Sequence, residues 1–322
     1  MGGKFLPPRP AGGYHSRMFS YRHAFHAGNH ADVLKHTTLI AILRHLMLKE
    51  PSITLVDTHA GAGLYRLDGD YAEKGGEAVA GVVKLMAALR PADGAPALSS
   101  PALDDYLDLI AGFNPSGHLR VYPGSPFVMQ SLMRTESRDR LKLFELHPTD
   151  GKTLSANIAQ LEAGRQISVT RADGFEGLKP LLPPPPSSTG SKRALVLIDP
   201  SYEIKSDYAK VSACIQECIK RFPTGTYVVW YPIIPRAEAH DLPRRLKTLS
   251  NQSNRSWLHA TLNIGQKIEL AEDERQGLTA SGMFVVNPPH TLKAALQESL
   301  PLMLDVLGRG RGKGQTLESG GH

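Results

Sequence analysis

The sequence predicts an α/β fold in which a mostly parallel sheet carries helices on both faces. Short β-like runs alternate with helix-compatible stretches along most of the chain. Strands joined by helical crossovers run parallel, and the crossover helices cover both faces of the sheet. The last two β-like runs have no long helix between them, so we expect an antiparallel edge.

Eight segments have the length and composition of strands. In chain order they are SITLVD (52–57), LRVY (119–122), LKLFE (141–145), QISVT (166–170), ALVLID (194–199), TYVVWY (226–231), LHATLNI (258–264) and GMFVVN (282–287). The stretch 30–50 has apolar residues at helical spacing, which predicts a helix ahead of the first strand.

Three segments depart from this alternation. Residues 64–118 are rich in Ala, Leu and Asp with Pro breaks and contain no convincing strand, so they predict a small helical insertion. Residues 1–17 and 308–322 are Gly-rich and low in apolar content, which predicts a flexible leader and a flexible tail. The predicted main domain consists of the remaining residues, 18–63 and 119–307.

The chain has 322 residues, a net charge of +6 and a pI of about 9.2. A modest basic excess favours a polyanionic partner such as nucleic acid, and it fits a basic soluble enzyme equally well. Two cysteines do not form a disulfide framework, and no apolar run approaches the ~20 residues of a membrane span. The first 17 residues lack the apolar core of a secretory signal, and they fit either a disordered leader or an upstream start codon with Met18 as the more natural first residue. We therefore expect a cytoplasmic protein without membrane contact.

Three polar groups stand where predicted strands end. In LVDTHAGAG (55–63) a strand end leads into a turn where Gly61 and Gly63 let backbone amides approach a ligand. Glu145 and Asp173 follow two later strands, where a carboxylate can accept from a ribose or an exocyclic amine. Each group alone also fits an ordinary tight turn, a charge at a strand end or a helix N-cap.

A fourth group, DPSY (199–202), ends the strand ALVLID. Ligands of open α/β sheets bind outside the carboxyl ends of the strands. Asp199 and the carbonyl of Pro200 offer two acceptors, and Tyr202 offers a ring that can stack on a flat base. Together they predict a binding site for the exocyclic amino group of an aromatic ring. Asp-Pro is also common in turns, so the order of all four groups supports this interpretation more than DPSY alone.

This order, with a tetrapeptide of the (D/N)PP(Y/F) type, resembles amino-group methyltransferases that use S-adenosylmethionine. A longer set of segments narrows the resemblance: MFSYRHAFHAGNHADVLKH (18–36), DTHAGAG (57–63), YPGSP (122–126), ELHP (145–148), ADGF (172–175), LIDPSYE (197–203), WYPI (230–233) and TASGMFVVNPP (279–289). With these segments, about 18–307 resembles the bacterial ribosomal RNA large subunit adenine-N6 methyltransferase J family.

The resemblance implies a Rossmann-like class I methyltransferase fold with a seven-stranded sheet, and methylation of N6 of a specific adenine in 23S ribosomal RNA. The residues implied to bind S-adenosylmethionine are His36, His59, Gly61, Gly63, Ser125, Glu145, Asp173, Gly174 and Asp199. The residues implied to hold the target amine are Asp199, Pro200 and Tyr202. Two residues, Tyr21 and Lys35, are implied to contact the substrate RNA.

One position departs from the family pattern, because Ser201 stands where the tetrapeptide has Pro. The hydrogen-bonding atoms belong to Asp199 and Pro200, so we expect activity to be retained with looser positioning of the turn.

Other interpretations remain open. Related tetrapeptides serve the methylation of DNA adenine and of protein glutamine, and an RNA-binding protein without catalysis is a further alternative that the intact DTHAGAG disfavours. His23, His26, His30 and His36 do not have an established metal-ligand spacing, so we expect no metal. We expect a monomer without an obligate protein partner, acting on ribosomal RNA that is free or in an early assembly particle.

Overall fold

The computed structural model describes residues 26–67, 77–91, 98–266 and 277–321. The strands are β1 (Thr54–Asp57), β2 (Leu64–Arg66), β3 (Val121–Pro123), β4 (Arg140–Phe144), β5 (Ile167–Thr170), β6 (Ala194–Ile198), β7 (Thr226–Pro232), β8 (Trp257–Asn263), β9 (Ala280–Val286) and β10 (Gly314–Gly320). The α-helices are α1 (His30–Leu46), α2 (Lys84–Leu89), α3 (Pro101–Gly112), α4 (Ser125–Leu132), α5 (Pro148–Ala159), α6 (Gly174–Leu178), α7 (Ser206–Arg221), α8 (Ala237–Gln252) and α9 (Leu292–Leu307). A π-helical turn, Val79–Val83, precedes α2, and a 3-10 turn, Lys179–Leu181, follows α6.

Five neighbouring strands of the main sheet run parallel, in the order β7-β6-β1-β4-β5. Every residue of β1, β6 and β7 is buried. A continuous apolar run such as ALVLI is typical of a strand whose side chains contact helices on both faces of the sheet. The predicted α/β class, with helices around a mostly parallel sheet, is confirmed.

The other end of the sheet is antiparallel. Strand β9 pairs with β7 and β8, and β10 pairs with β8 over seven residues. The antiparallel edge was predicted, but within the described residues the sheet has eight strands rather than seven. The prediction of a flexible tail at 308–322 is wrong, because Gly314–Gly320 form β10. Backbone pairing with β8 holds this strand, and its residues are exposed or half-buried, so the apolar pattern did not reveal it.

A small second sheet lies outside the main one, and it consists of β2 and β3 paired antiparallel. The segment LRVY therefore does not join the main sheet, and the segment 64–118 contains the strand β2. The other elements in the described part of that segment are helical, and α3 packs against α1 and α9. Its division into a separate subdomain stays a prediction. The predicted leader, 1–17, and Tyr21 lie outside the described residues.

Helix α1 is buried along most of its length, including the polar residues Asp32, Lys35 and His36. It begins after Asn29, whose side chain accepts hydrogen bonds from the amides of Ala31 and Asp32. It packs against α3, α4 and α9. Because burial of a charge is costly without a partner, the polar side chains of α1 need partners inside the protein.

Within the described residues, no helix combines the length and the apolar character that a membrane crossing needs.

Candidate active site

A cleft lies at the carboxyl ends of the parallel strands β1, β4, β5 and β6. Open α/β sheets bind their ligands at this edge. The lining includes nine residues that the sequence singled out, namely Lys35, His59, Gly61, Ser125, Glu145, Asp173, Gly174, Asp199 and Pro200.

Two glycines allow the loops of the cleft to approach each other. Gly61 has a φ of +61°, and a Cβ atom there would lie 2.3 Å from the hydroxyl of Tyr65. A Cβ atom on Gly174, at the start of α6, would lie 1.9 Å from the backbone oxygen of Thr58. The backbones after β1 and β5 therefore approach at a distance that only glycine permits.

Glu145 links the loops that follow β1 and β4. Its Oε2 accepts from the amide of Gly61 at 2.7 Å, and its Oε1 accepts from the amide of His147 at 2.7 Å. Burial raises the pKa of the Glu145 carboxyl, and the two amide hydrogen bonds oppose that rise. The main chain thus fixes this carboxyl group at the wall of the cleft.

Asp173 is the N-cap of α6, and its Oδ1 accepts from the amide of Phe175 at 2.8 Å. The ring of Phe175 packs edge-on against His59, with 4.8 Å between the ring centroids. Burial lowers the pKa of His59 to about 4, so this imidazole is neutral near pH 7. The wall beside Asp173 is therefore an uncharged aromatic surface, which suits a flat ring.

Ser125 is held by a carboxyl group that the sequence did not single out. Its Oγ donates to Oδ2 of Asp57 at 2.6 Å, and the amide of His59 donates to Oδ1 at 3.2 Å. Asp57 is fully buried at the end of β1, and burial raises its pKa to about 7. Asp57 thus orients both Ser125 and the turn after β1.

Asp199 ends β6 and forms an ion pair with Lys35 of α1. The Nζ of Lys35 lies 2.7 Å from Oδ2 of Asp199 and 2.9 Å from Oδ1 of Asp32. Burial alone would lower the pKa of Lys35, but the carboxylates of Asp199 and Asp32 hold it well above its ordinary range. Two carboxylates already bind this buried ammonium, and the predicted contact of Lys35 with the substrate RNA stays a prediction.

Two residues implied to bind the cofactor lie behind the cleft wall. His36 is fully buried, and its Nδ1 lies 2.8 Å from the hydroxyl of Tyr122. Gly63 has a φ of +81°, and a Cβ atom there would lie within 3 Å of Leu154 and Phe127. Both residues shape the elements that carry the site, and neither lines the cleft.

Tyr202 also lies outside the cleft wall. Its side chain is 3% exposed, and its hydroxyl donates to the backbone oxygen of Trp230 at 2.7 Å. Its ring packs against Tyr208, with 4.7 Å between the centroids. In this arrangement the ring packs in the core and does not line the cleft, and its predicted stacking on a base stays a prediction.

Several residues that line the cleft were not among the predicted site residues, namely Tyr65, Leu146, His147, Asp150, Phe175, Asp207 and Lys210. Leu146, His147 and Phe175 are neighbours of Glu145 and Asp173, so their place in the motifs was a usable signal. Asp207 and Lys210 lie on α7, and nothing in the local sequence distinguishes them from a solvated helix face.

The chemistry of the lining fits S-adenosylmethionine. Glu145 could accept from ribose hydroxyls, and Asp173 could accept from the amine of an adenine ring, while Gly61 and Gly174 leave the floor free of side chains. Within the described residues no three His, Cys, Asp or Glu side chains converge as a metal site would require. The expectation of a metal-free site stays a prediction.

Comparisons with known proteins identify the family of the chain. Residues 50–318 match the family described as ribosomal RNA large subunit methyltransferase D, RlmJ. The chain is 42% identical over 284 residues to ribosomal RNA large subunit methyltransferase J of Escherichia coli, covering 88% of this chain and 92% of that protein. It is 41% identical over 295 residues to the protein of the same name from Haemophilus influenzae, covering 90% and 94%.

A solved structure has the same fold. The crystal structure of protein LPL1258 from Legionella pneumophila superposes with a TM-score of 0.74 at 30% identity, covering 92% of this chain and 98% of that one. The family match spans well over half of the chain, and the two relatives align over nearly all of it. The chain therefore belongs to the ribosomal RNA large subunit methyltransferase J family.

Proposed function

We propose that this protein transfers a methyl group from S-adenosylmethionine to the N6 amino group of an adenine in 23S ribosomal RNA. Family membership supports ribosomal RNA as the substrate, since the relatives are named for it. The choice of an amino group rests on the side chains at the end of β6.

One observation carries the proposal. Asp199 lies in the cleft with Oδ2 bound by Lys35, and within the described residues no hydrogen bond occupies its Oδ1. The next residue, Pro200, also lines the cleft and offers a backbone carbonyl. Two acceptors on adjacent residues match the two hydrogens of an exocyclic amine.

These acceptors would act on the electron distribution of the amine. The N6 lone pair of adenine is delocalised into the ring, which makes the nitrogen a poor nucleophile. Asp199 and the Pro200 carbonyl would accept its two hydrogens and favour a pyramidal nitrogen, and this interaction is strongest in the transition state. Lys35 would keep Asp199 in one orientation and leave Oδ1 for the amine.

S-adenosylmethionine, when bound, supplies an electrophilic methyl group on a sulfonium. It would be held beside Asp199 by Glu145, Asp173, Ser125 and the backbone at Gly61 and Gly174. The protein then acts mainly by positioning, because two reactants held in line avoid the entropic cost of a bimolecular encounter. The target adenine would have to leave its stack in the folded RNA to reach a cleft bounded by strand ends.

The test is transfer of labelled methyl from S-adenosylmethionine to four substrates: protein-free 23S ribosomal RNA, an early large-subunit assembly particle, duplex DNA and total protein. Nucleoside analysis of the labelled product identifies the modified atom. We expect N6-methyladenosine in ribosomal RNA alone. Label in DNA or protein would contradict ribosomal RNA as the substrate. Label on a ring nitrogen or a ribose would contradict the N6 amino group as the target.

The matched control is Asp199→Asn, which preserves the size of the side chain. An amide has one oxygen and one NH2 group, so it would face either Lys35 or the target amine with a donor. We expect cofactor binding without methyl transfer. A wild-type protein that binds ribosomal RNA and transfers no methyl group to either RNA substrate would favour a non-catalytic RNA-binding role.

A further inference from the structure

The backbone of the DPSY segment carries a strained residue. Tyr202 has a φ of +54°, in the left-handed region that bulky side chains rarely adopt. Such a conformation is unfavourable for a bulky side chain and persists only where the surroundings determine it. The contacts of Tyr202 therefore need to offset that cost.

Two hydrogen bonds tie Tyr202 to the elements after β6. Its hydroxyl donates to the Trp230 oxygen of β7 at 2.7 Å, and its own backbone oxygen accepts from Nη1 of Arg236 at 3.1 Å. Arg236 precedes α8, where its amide donates to the oxygen of Ile234 at 2.7 Å. The guanidinium thus reaches from a fixed turn to the carbonyl of a strained residue.

The same segment presents its other residues to the cleft. Asp199, Pro200, Ser201 and Glu203 line the cleft on either side of the buried Tyr202. Ser201 is exposed, and its side chain adds no rigidity to the turn. A Pro at that position would restrict the backbone, whereas Ser leaves it free. The turn must be held by its contacts instead.

We propose that Tyr202 and Arg236 form a clamp that positions Asp199 and the Pro200 carbonyl, with Tyr202 acting from the core rather than by stacking on the base. The clamp replaces the rigidity that Ser201 does not supply. Arg236 is a positioning residue, since it acts through the backbone of Tyr202. The effect on catalysis rests on the proposed function, while the effect on the loop does not.

The experiment compares Tyr202→Phe and Arg236→Met with the wild-type full chain. The first removes the hydroxyl and keeps the ring, and the second removes the donor and keeps much of the aliphatic stem. Hydrogen–deuterium exchange of amides 201–205 reports on the loop in the free protein. We expect both variants to exchange at least tenfold faster in this segment than the wild type.

Methyl transfer to ribosomal RNA reports on the positioning. We expect kcat to fall about ten- to hundredfold in both variants, because a shift of about 1 Å in a reacting group can cost that much. The dissociation constant for S-adenosylmethionine should stay within about twofold. Ser201→Pro in the Arg236→Met background should restore part of kcat and slow the loop exchange.

Two control variants separate positioning from general stability. Tyr227, near the start of β7, has a buried hydroxyl that donates to the backbone oxygen of Cys218 at 3.0 Å. Tyr227→Phe removes this hydroxyl and keeps the ring. Arg245→Met changes an exposed arginine of α8. Neither control should change exchange at 201–205.

The outcomes distinguish the two proposals. If Tyr202→Phe leaves both the exchange of amides 201–205 and kcat at the wild-type values, the clamp is contradicted. If the exchange becomes faster and kcat does not change, the clamp does not contribute to catalysis. Fast exchange in both variants, together with a wild-type protein that methylates no RNA, would leave the clamp standing and overturn the proposed function.

Discussion

Glu145 and Asp199 both follow parallel strands and both line the cleft, but the protein holds them by different means. Glu145 accepts from two backbone amides, so main-chain geometry fixes it. Asp199 is held by the side chain of Lys35, which depends in turn on Asp32. A carboxyl group fixed by the backbone is insensitive to a single side-chain change nearby. One that a buried ion pair holds can be released by one substitution, which makes the Asp199 side of the cleft the more vulnerable.

The largest effect should come from Asp199→Asn. We expect kcat for methyl transfer to fall on the order of a thousandfold, since one preorganised group at a reacting centre contributes up to about that much. Cofactor affinity should change little. Isothermal titration with S-adenosylmethionine and single-turnover methyl transfer separate the two quantities, and a kcat within tenfold of the wild type would contradict the assigned role.

The second-largest effect is expected for Lys35→Met, and it concerns the free energy of unfolding. It leaves the buried carboxylate of Asp32 and the partly buried carboxylate of Asp199 without their cation, and breaking a buried pair costs about 3–5 kcal/mol. Urea denaturation monitored by tryptophan fluorescence measures the free energy of unfolding. Lys152→Met removes an exposed lysine of α5 and should change it by less than about 0.5 kcal/mol. Equal losses in the two variants would show that the ion pair of Lys35 does not hold the Asp199 side of the cleft.

A smaller and different effect is expected for Glu145→Gln. The amide replaces one acceptor oxygen by a donor that faces a backbone N–H, and hydrogen bonds to a charged group contribute about 1.5–3 kcal/mol. We expect S-adenosylmethionine to bind about ten- to hundredfold more weakly, with kcat at saturating cofactor near the wild-type value. A loss confined to kcat would show that Glu145 acts on the methyl-transfer step and not on cofactor binding.

The smallest effect concerns pH. The pKa of His59 is about 4 in the folded protein, against 6.5 for an unperturbed histidine. The unfolded chain therefore binds one more proton between pH 4 and 6.5, and this residue destabilises the fold as the pH falls through that range. His59→Gln should make the decline shallower, by at most about 1.4 kcal/mol per pH unit. The comparison is urea denaturation at pH 7.5 and 5, with the exposed His118→Gln as control.

The strands of the parallel sheet could be predicted because each is a short, largely apolar or alternating run, and β1, β4 and β6 lead into an acidic residue at or just after their end. The strand-end carboxyls Glu145, Asp173 and Asp199 were identified for the same reason. The contact between Lys35 and Asp199 could not be predicted, since the two residues are 164 positions apart and no local pattern joins them.

Side-chain direction was harder to predict than position. Tyr202 belongs to a motif at a strand end, but the positive φ turns its ring into the core. His36 follows Lys35 on α1 and so faces another direction, toward Tyr122. Strand β10 went unrecognised because its Gly and polar residues give no apolar alternation, and only the partner strand reveals it.

Strand β10 also bears on the solubility of the protein. It covers the whole of β8 from Trp257 to Asn263, a strand that is apolar along much of its length. The new outer edge is polar apart from Leu317, and Glu318 forms an ion pair with Lys247. Charged and polar edge strands hinder pairing between molecules, whereas long apolar ones promote aggregation. A chain shortened before Gly314 would leave β8 without this partner strand, and we expect such a chain to aggregate more readily.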